Sequence, residues 1–363
     1  MEPLPPLLIM LGGAVIGAAC GFTVRRARLC SFGAIEDAWM GHDTRRLRIF
    51  GLALAVALIG TQIFILSGLL TPHLSTYVPT AIPWLAILLG STLFGIGMAL
   101  VGTCGFGSLV RLGNGDLRSL IVMIVFGAVA YATLRGMLAP LRIDVLEAPT
   151  IPVPGLNPGD LPSVTAWLGL GDLRAQIALT GAALLIVAVA VDRRLLRSPR
   201  LLVAGLTLGV GVVLGWWMTG IAADEFAAPA RPQSLTFVSP IGRTLYGVLT
   251  EPRSLLDFGV GSIFGVVVGS LASALYDREF RWEAFDDHRE MRRHLAGGAL
   301  MGFGGILAGG CTIGQGITAG SLMALSWPLA VAGMMIGARI GIALLVEGSV
   351  GELFQRYIWR WKA

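Results

Sequence analysis

The chain has 363 residues, of which 55% are apolar and 13% charged, with a mean hydropathy of +0.77. That balance excludes two or three soluble domains, a secreted domain and a disordered chain; apolar stretches of about 20 residues, matched to hydrocarbon thickness at about 1.5 Å per residue, define a membrane protein. The net charge of +5 does not point to a nucleic-acid module: 26 of the 27 basic residues are Arg, only Lys362 is Lys, and their distribution reports topology.

The start, Met1 to Pro6, lacks a basic region, and the first apolar stretch runs into Arg25 and Arg26 without a cleavage site. It is therefore expected to be a retained span and not a signal peptide. Hydropathy predicts an all-α polytopic membrane protein with nine spans, near 6–24, 47–70, 82–103, 118–138, 175–191, 201–222, 255–276, 294–310 and 323–346. After the first span, residues 25–39 read RRARLCSFGAIEDAW. Cys30 opens a short amphipathic piece there, too short to cross, that reads as re-entrant or interfacial.

Two connections are long. Residues 139–174 hold Pro140, Pro149, Pro152, Pro154, Pro158 and Pro162, which excludes a spanning helix and predicts an ordered extramembrane cap. Residues 223–254 mix prolines with apolar pieces and are expected to dip into the membrane or lie on it. Trp216, Trp217, Trp359 and Trp361 read as interface anchors. The stretch Asp277–His294 reads as a solvated loop, because its His residues lack metal-ligand spacing. With the amino terminus outside, 20 basic residues fall on inner segments and six on outer ones, and Arg339 alone lies within a span. That asymmetry places the carboxyl terminus in the cytoplasm.

Residues 94–107 read FGIGMALVGTCGFG and residues 301–314 read MGFGGILAGGCTIG. At a constant offset of 207, Gly95, Gly97, Gly102, Cys104 and Gly107 fall on Gly302, Gly304, Gly309, Cys311 and Gly314. Two of only four cysteines share this frame, which marks an internal duplication. The copies lie in spans of opposite direction, so the repeat is inverted. Residues 1–138 form one half with spans one to four, 139–200 hold the Pro-rich connection and linker span five, and 201–363 form the second half.

Inverted repeats with glycine-interrupted helices are an architecture of transporters that bind ligand at the broken ends. Glycine-exposed amides at Gly105, Gly107, Gly310 and Gly314 suit an anion, with Thr103, Ser108, Thr312 and Gln315 as polar supplements. Thiols at Cys104 and Cys311 favour a soft sulfur-bearing ligand over a hard oxyanion. Near Phe237–Gly242 the second half has no counterpart of Cys30, so a permeant would meet three thiols. Cys20 reads as packing, as do Gly333, Gly337 and Gly341. Arg339 either attracts the anion or pairs with Glu347.

At Arg25-Arg26-Ala27-Arg28-Leu29-Cys30, Gly102-Thr103-Cys104-Gly105 and Gly309-Gly310-Cys311-Thr312-Ile313-Gly314, the sequence resembles the YeeE/YedE family of sulfur-transport membrane proteins. The resemblance covers most of the chain. It implies a thiosulfate uptake protein of the bacterial inner membrane, with short re-entrant helices and an hourglass-shaped path along which S–H to sulfur hydrogen bonds pass the anion between Cys30, Cys104 and Cys311. Other sulfur or selenium species are alternative cargo. No cofactor, enzymatic site or nucleic-acid partner is expected, and no P-loop for ATP hydrolysis appears. Partners would be the sulfur anion, the bilayer and a cytoplasmic sulfur-carrier or sulfurtransferase protein. A membrane sulfurtransferase holding a persulfide and a sulfur-responsive sensor remain open readings.

Overall fold

A computed structural model describes residues 5–79, 81–152, 159–221, 232–285 and 287–347 and shows an all-α polytopic membrane protein. The first part of the chain forms α1 (Pro6–Ala27), the short α2 (Ser31–Met40), α3 (Arg45–Leu66), α4 (Trp84–Val101), the short α5 (Gly105–Gly113) and α6 (Leu117–Leu134). Then come α7 (Leu161–Trp167), α8 (Arg174–Ala190) and α9 (Arg193–Leu196). The last part forms α10 (Pro199–Trp216), the short α11 (Val238–Leu249), α12 (Phe258–Tyr276), α13 (His288–Leu307) and α14 (Ser326–Glu347). Among the described residues, seven helical stretches are long and apolar enough to cross a membrane, with α1–α2 and α4–α5 each forming one broken stretch. The other two long helices, α8 and α13, overlap predicted spans but fall short in length or carry a charged first turn.

Glycines set the packing. Gly17 and Gly21 of α1 lie against Ser262 and Val266 of α12, and Gly265 and Gly269 answer against Ala14 and Ala18, so the two helices run parallel with backbones touching. In the same way α10 lies along α3, through Gly205 at Ile49 and Gly209 at Ala53. Helices α4 and α14 pair through Gly337 at Thr92 and Gly341 at Ile96, while α6 and α13 pair through Gly298 at Val122 and Gly302 at Phe126. At the centre, α4 crosses α13 antiparallel, with Gly90 on Gly304 and Gly97 on Gly297, two contacts that exchange under the offset of 207. Small residues bring helices together where lipid supplies no hydrophobic drive.

The order long, short, long, long, short is repeated in the second half, although the second short piece is a π-helical turn, Gly314–Ala319. The offset carries Ser31, where α2 starts, onto Val238, where α11 starts. The segment before α11 inserts among the helices and does not rest on their surface, since Leu235, Phe237 and Val238 are buried. The Pro-rich connection is ordered where it is described. Ile151–Pro152 pairs antiparallel with Ala81–Ile82, the Leu161 N–H donates to Met323 O, and buried Asp160 binds Arg174.

One face gathers arginines. Arg25 donates to Asn114, Asp277 and Glu279, Arg26 lies against Asp277, and Arg118 binds Asp116, Glu283 and Glu290. Trp216 departs from its expected place: it is fully buried, its indole N–H donates to Ser321 at 3.2 Å, and Tyr77 meets it edge-on. It is a core residue because both its ring and its N–H find partners inside. Trp359, Trp361, Arg231, Arg356, Arg360, Lys362, Pro154 and Pro158 lie outside the described residues.

A Cβ built on Gly265 would lie 2.0 Å from the Ala14 carbonyl oxygen, a backbone atom. Gly265→Val is therefore expected to force α1 from α12 and cost about 1–3 kcal/mol or more, read as lowered thermal stability in detergent. Gly181→Ala, whose new Cβ would meet only Leu58 Cδ2 at 3.7 Å, is expected to be neutral or to gain up to about 1 kcal/mol.

Candidate substrate site

Both copies of the repeat end a helix with the same hydrogen bonds. Gly102, at φ 75°, closes α4 with its N–H to Met98 O and Ala99 O, and the Thr103 N–H reaches back to Met98 O. Gly309, at φ 74°, follows α13 with its N–H to Ile306 O, and the Gly310 N–H reaches back to Gly305 O. Glycine suits this left-handed stop, which satisfies carbonyls that hydrocarbon cannot.

The chain then restarts on a cysteine. Cys104 Sγ accepts the Gly107 N–H at 3.4 Å and caps α5; Cys311 Sγ accepts the Gly314 N–H, the first amide of the π-helical turn, at the same distance of 3.4 Å. Each sulfur takes a position usually held by an Asp or Ser oxygen, satisfying an orphan amide without adding charge. Cys104 and Cys311 are both buried.

The amino end of α2 enters this centre. Cys30 Sγ lies 3.4 Å from Thr103 Oγ1 and interacts side chain to side chain with Cys104. Ser31 reaches Cys104, and its Oγ is 2.9 Å from Thr312 Oγ1, beside Cys311. The amino end of α2 thus touches both breaks, Cys30 at Thr103, the residue before Cys104, and Ser31 at Thr312, the residue after Cys311. Beyond Cys311, Thr236 and the Tyr77 hydroxyl crowd Gly314; a Cβ there would lie 2.5 Å from Thr236 Oγ1 and 3.0 Å from Tyr77 Oη. Gly107 leaves similar room, since a Cβ there would sit 2.1 Å from Thr103 Oγ1 and 3.6 Å from Cys30 Sγ. Gly105 faces Phe126, and Gly310 lies against Gln315.

The two halves are not equal here. Phe237 occupies the position equivalent to Cys30, and its ring packs on Phe106 with centroids 4.8 Å apart. Gln315 Nε2 donates to Ala308 O at 2.8 Å, while its Oε1 has no partner among the described residues. Ser108, the repeat equivalent of Gln315, also holds a buried hydroxyl without a partner. Both atoms sit one turn along from the capping cysteines.

Arg339 lies apart from this group. Its guanidinium stands 5.8 Å from the ring centroid of Trp39 at the far end of α2, and the Glu347 side chain is outside the described set. Cys20 is buried with its Sγ 3.7 Å from Thr207 O, away from the other thiols. Among the described residues no group of three or more His, Cys, Asp or Glu side chains is placed to hold a metal.

Sequence reasoning missed Ser31, Thr236 and Tyr77. Ser31 was readable from its place directly after Cys30. Tyr77 lies in the connection between α3 and α4, where no periodicity marks it.

A polytopic helical membrane protein with helices interrupted inside its packed core has the features of a membrane transporter. The chain is a member of the sulphur-transport family, whose model matches residues 26–340. It is 29% identical over 346 residues to a thiosulfate transporter, TsuA, of Escherichia coli (strain K12), covering 91% of this chain and 92% of that protein. It is 26% identical over 338 residues to the thiosulfate transporter TsuA of Spirochaeta thermophila, covering 90% and 96%.

The Ser31–Thr312 contact joins α2 to the second break. Ser31→Ala or Thr312→Val alone is expected to strand one hydroxyl and cost about 1–3 kcal/mol, whereas the double variant should lose less than the sum of the two. Thermal melting of the four proteins in detergent measures the coupling.

Proposed function

We propose that this protein imports thiosulfate across the bacterial inner membrane, passing it through the constriction formed by Cys30, Cys104 and Cys311. The carrying observation is that the start of α2 joins the two cysteine-bearing helix breaks, with Cys30 on Thr103 and Ser31 on Thr312. A soft terminal sulfur is matched by polarizable S–H groups, and amides near Gly102, Gly105, Gly107, Gly310, Thr312 and Gly314 suit the sulfonate oxygens. The constriction residues named carry no fixed cation, so each contact is weak enough for the dianion to leave as well as enter. The names of the two relatives supply the cargo.

In this reading the Arg-rich face is cytoplasmic, following the excess of basic residues on inner segments, and the Tyr77 side faces outward. Nine spans build it. The halves 1–138 and 201–363 are inverted across the membrane, 139–200 joins them, and α2 and α5 are re-entrant. A sulfur-accepting protein would meet the basin of about 910 Å³ on the Arg-rich face, lined in part by Arg25, Arg28 and Arg46.

A second reading follows from the place of Cys104 at the start of α5, where its sulfur accepts the Gly107 N–H. The Cys104 thiolate would attack the sulfane sulfur of thiosulfate, breaking its bond to the sulfonate sulfur, which leaves as sulfite, and Cys104 would keep a persulfide.

In proteoliposomes, Cys104→Ala, Cys311→Ala and Cys30→Ala are each expected to lower labelled thiosulfate uptake at least about tenfold, a loss of roughly 1.4 kcal/mol or more in transition-state stabilisation, with unchanged membrane content. Wild-type uptake by the Cys104 and Cys311 variants contradicts the import path. Intact-mass measurement after turnover separates the two readings: an unmodified chain supports permeation, and a stoichiometric one-sulfur adduct supports the persulfide.

A further inference from the structure

The face that holds Arg25 and Arg118 carries a second, smaller cavity that the constriction does not use. It has a volume of about 180 Å³, well above the ~10–15 Å³ that one water needs. Its walls come from the end of α4, from α5, from the start of α6 and from the start of α13. Arg111, Arg118, Arg293 and His294 line it together with Asp116 and Glu290. The two carboxylates are engaged by Arg118, through Asp116 Oδ1 at 3.0 Å and Glu290 Oε1 at 3.3 Å. Arg111 and Arg293 have no carboxylate partner among the described residues, so the cavity keeps a surplus of positive charge.

A buried polar atom lies in the wall of this cavity. The His294 side chain is 8% exposed; its Nε2 is 3.2 Å from Val101 O, and its Nδ1 is buried with no hydrogen-bond partner among the described residues. The nearest carboxylate oxygen, Glu290 Oε1, is 3.9 Å away, beyond hydrogen-bond reach. With the Nε2 proton committed to a carbonyl, a protonated ring carries a second donor, Nδ1–H, that no described residue accepts.

The cavity also touches the first helix break. Arg111 donates to Gly102 O at 3.0 Å, His294 holds Val101 O, and Thr103 and Cys104 follow directly in the chain. A Cβ built on Gly102 would meet nothing within 4 Å, so open space adjoins this turn. Two cationic side chains and one imidazole therefore stand at the mouth of the thiol-lined constriction, on its Arg-rich side.

We propose that Arg111, Arg293 and His294 form a binding site for a small tetrahedral dianion, a station outside the constriction that takes thiosulfate or a sulfur oxyanion of the same charge. Guanidinium groups match paired sulfonate oxygens, and a protonated His294 adds a donor from the wall. The groups facing that ring are Arg118, Arg293 and Arg111, which favour the anion, and Glu290 and Asp116, which favour the proton. This rests on the reading that the cargo is a sulfur oxyanion. The dianion comes either from cargo leaving the constriction or from the compartment on the Arg-rich face.

The test measures equilibrium binding of labelled thiosulfate to the full chain in detergent, in a Cys104→Ala/Cys311→Ala background that removes the thiols of both breaks. One site should remain, tighter at pH 6 than at pH 8, because burial and Arg293 hold the free His294 imidazole below its ordinary value and the bound dianion draws the proton back onto it, while thiosulfate itself stays a dianion. Arg293→Gln, which removes a side chain without hydrogen bonds or ion pairs among the described residues, should weaken it at least about tenfold. Arg293→Lys should restore most of it, and His294→Gln should abolish the pH dependence. Absence of binding in the double-cysteine background, or equal binding by the Arg293→Gln protein, overturns the site. Normal uptake by the cysteine variants together with lost binding in Arg293→Gln would instead defeat the constriction and leave this site standing. Unlabelled sulfate enclosed in proteoliposomes on the Arg-rich side identifies the source: slowed uptake by wild type but not by Arg293→Gln means filling from that compartment, and no slowing means filling by cargo alone.

Discussion

Backbone amides and carbonyls left open in the middle of an apolar slab govern this structure. Hydrocarbon offers them no partner, and each unsatisfied group costs several kcal/mol or about that. The chain nevertheless stops two helices there, after Val101 and near Ala308. It does so with a glycine in the left-handed conformation on the carbonyl side and a cysteine sulfur on the amide side. A carboxylate cap would satisfy the same amides but would hold a charge at the centre and repel an anion. In the proposed path the same buried sulfurs that satisfy these amides are the groups that meet the cargo.

The crossing of α4 and α13 at Gly90, Gly97, Gly297 and Gly304 brings equivalent stretches past one another in opposite directions, so the end of α4 at Val101 lies against Gly297 and the end of α13 at Leu307 lies against Gly90. The amino end of α2 reaches both breaks, through Cys30 at Thr103 and Ser31 at Thr312. The two stretches differ at the start of their short helices: Phe237 packs on Phe106, while Cys30 reaches Thr103 and Ser31 reaches Thr312.

Much of this was legible in the chain. Apolar stretches gave the helices to within a few residues, and the offset of 207 gave two capping cysteines together with the glycines that precede them, because backbone geometry ties glycine to a left-handed turn. The repeat also marked Phe237 as the partner of Cys30. Long-range placement was less accessible. Trp216 reads as an interface residue from its position at a span end, yet Ser321, more than a hundred residues away, receives its N–H and draws it inward. Tyr77 and Thr236 lie in connections, where no period exposes them, and only the fold shows that they crowd Gly314. Arg339 was recognisable as an unusual charge, but its neighbour Trp39 comes from a different segment.

The central claim is that one constriction uses soft sulfur from both halves to hold the cargo. Long-wavelength diffraction from crystals saturated with thiosulfate tests it most directly, because sulfur scatters anomalously and the protein's own Cys and Met positions are known. The account predicts additional sulfur peaks between the Cys30–Cys104 pair and Cys311. Peaks only at sites remote from all three thiols, or no additional peak at saturation, would contradict it.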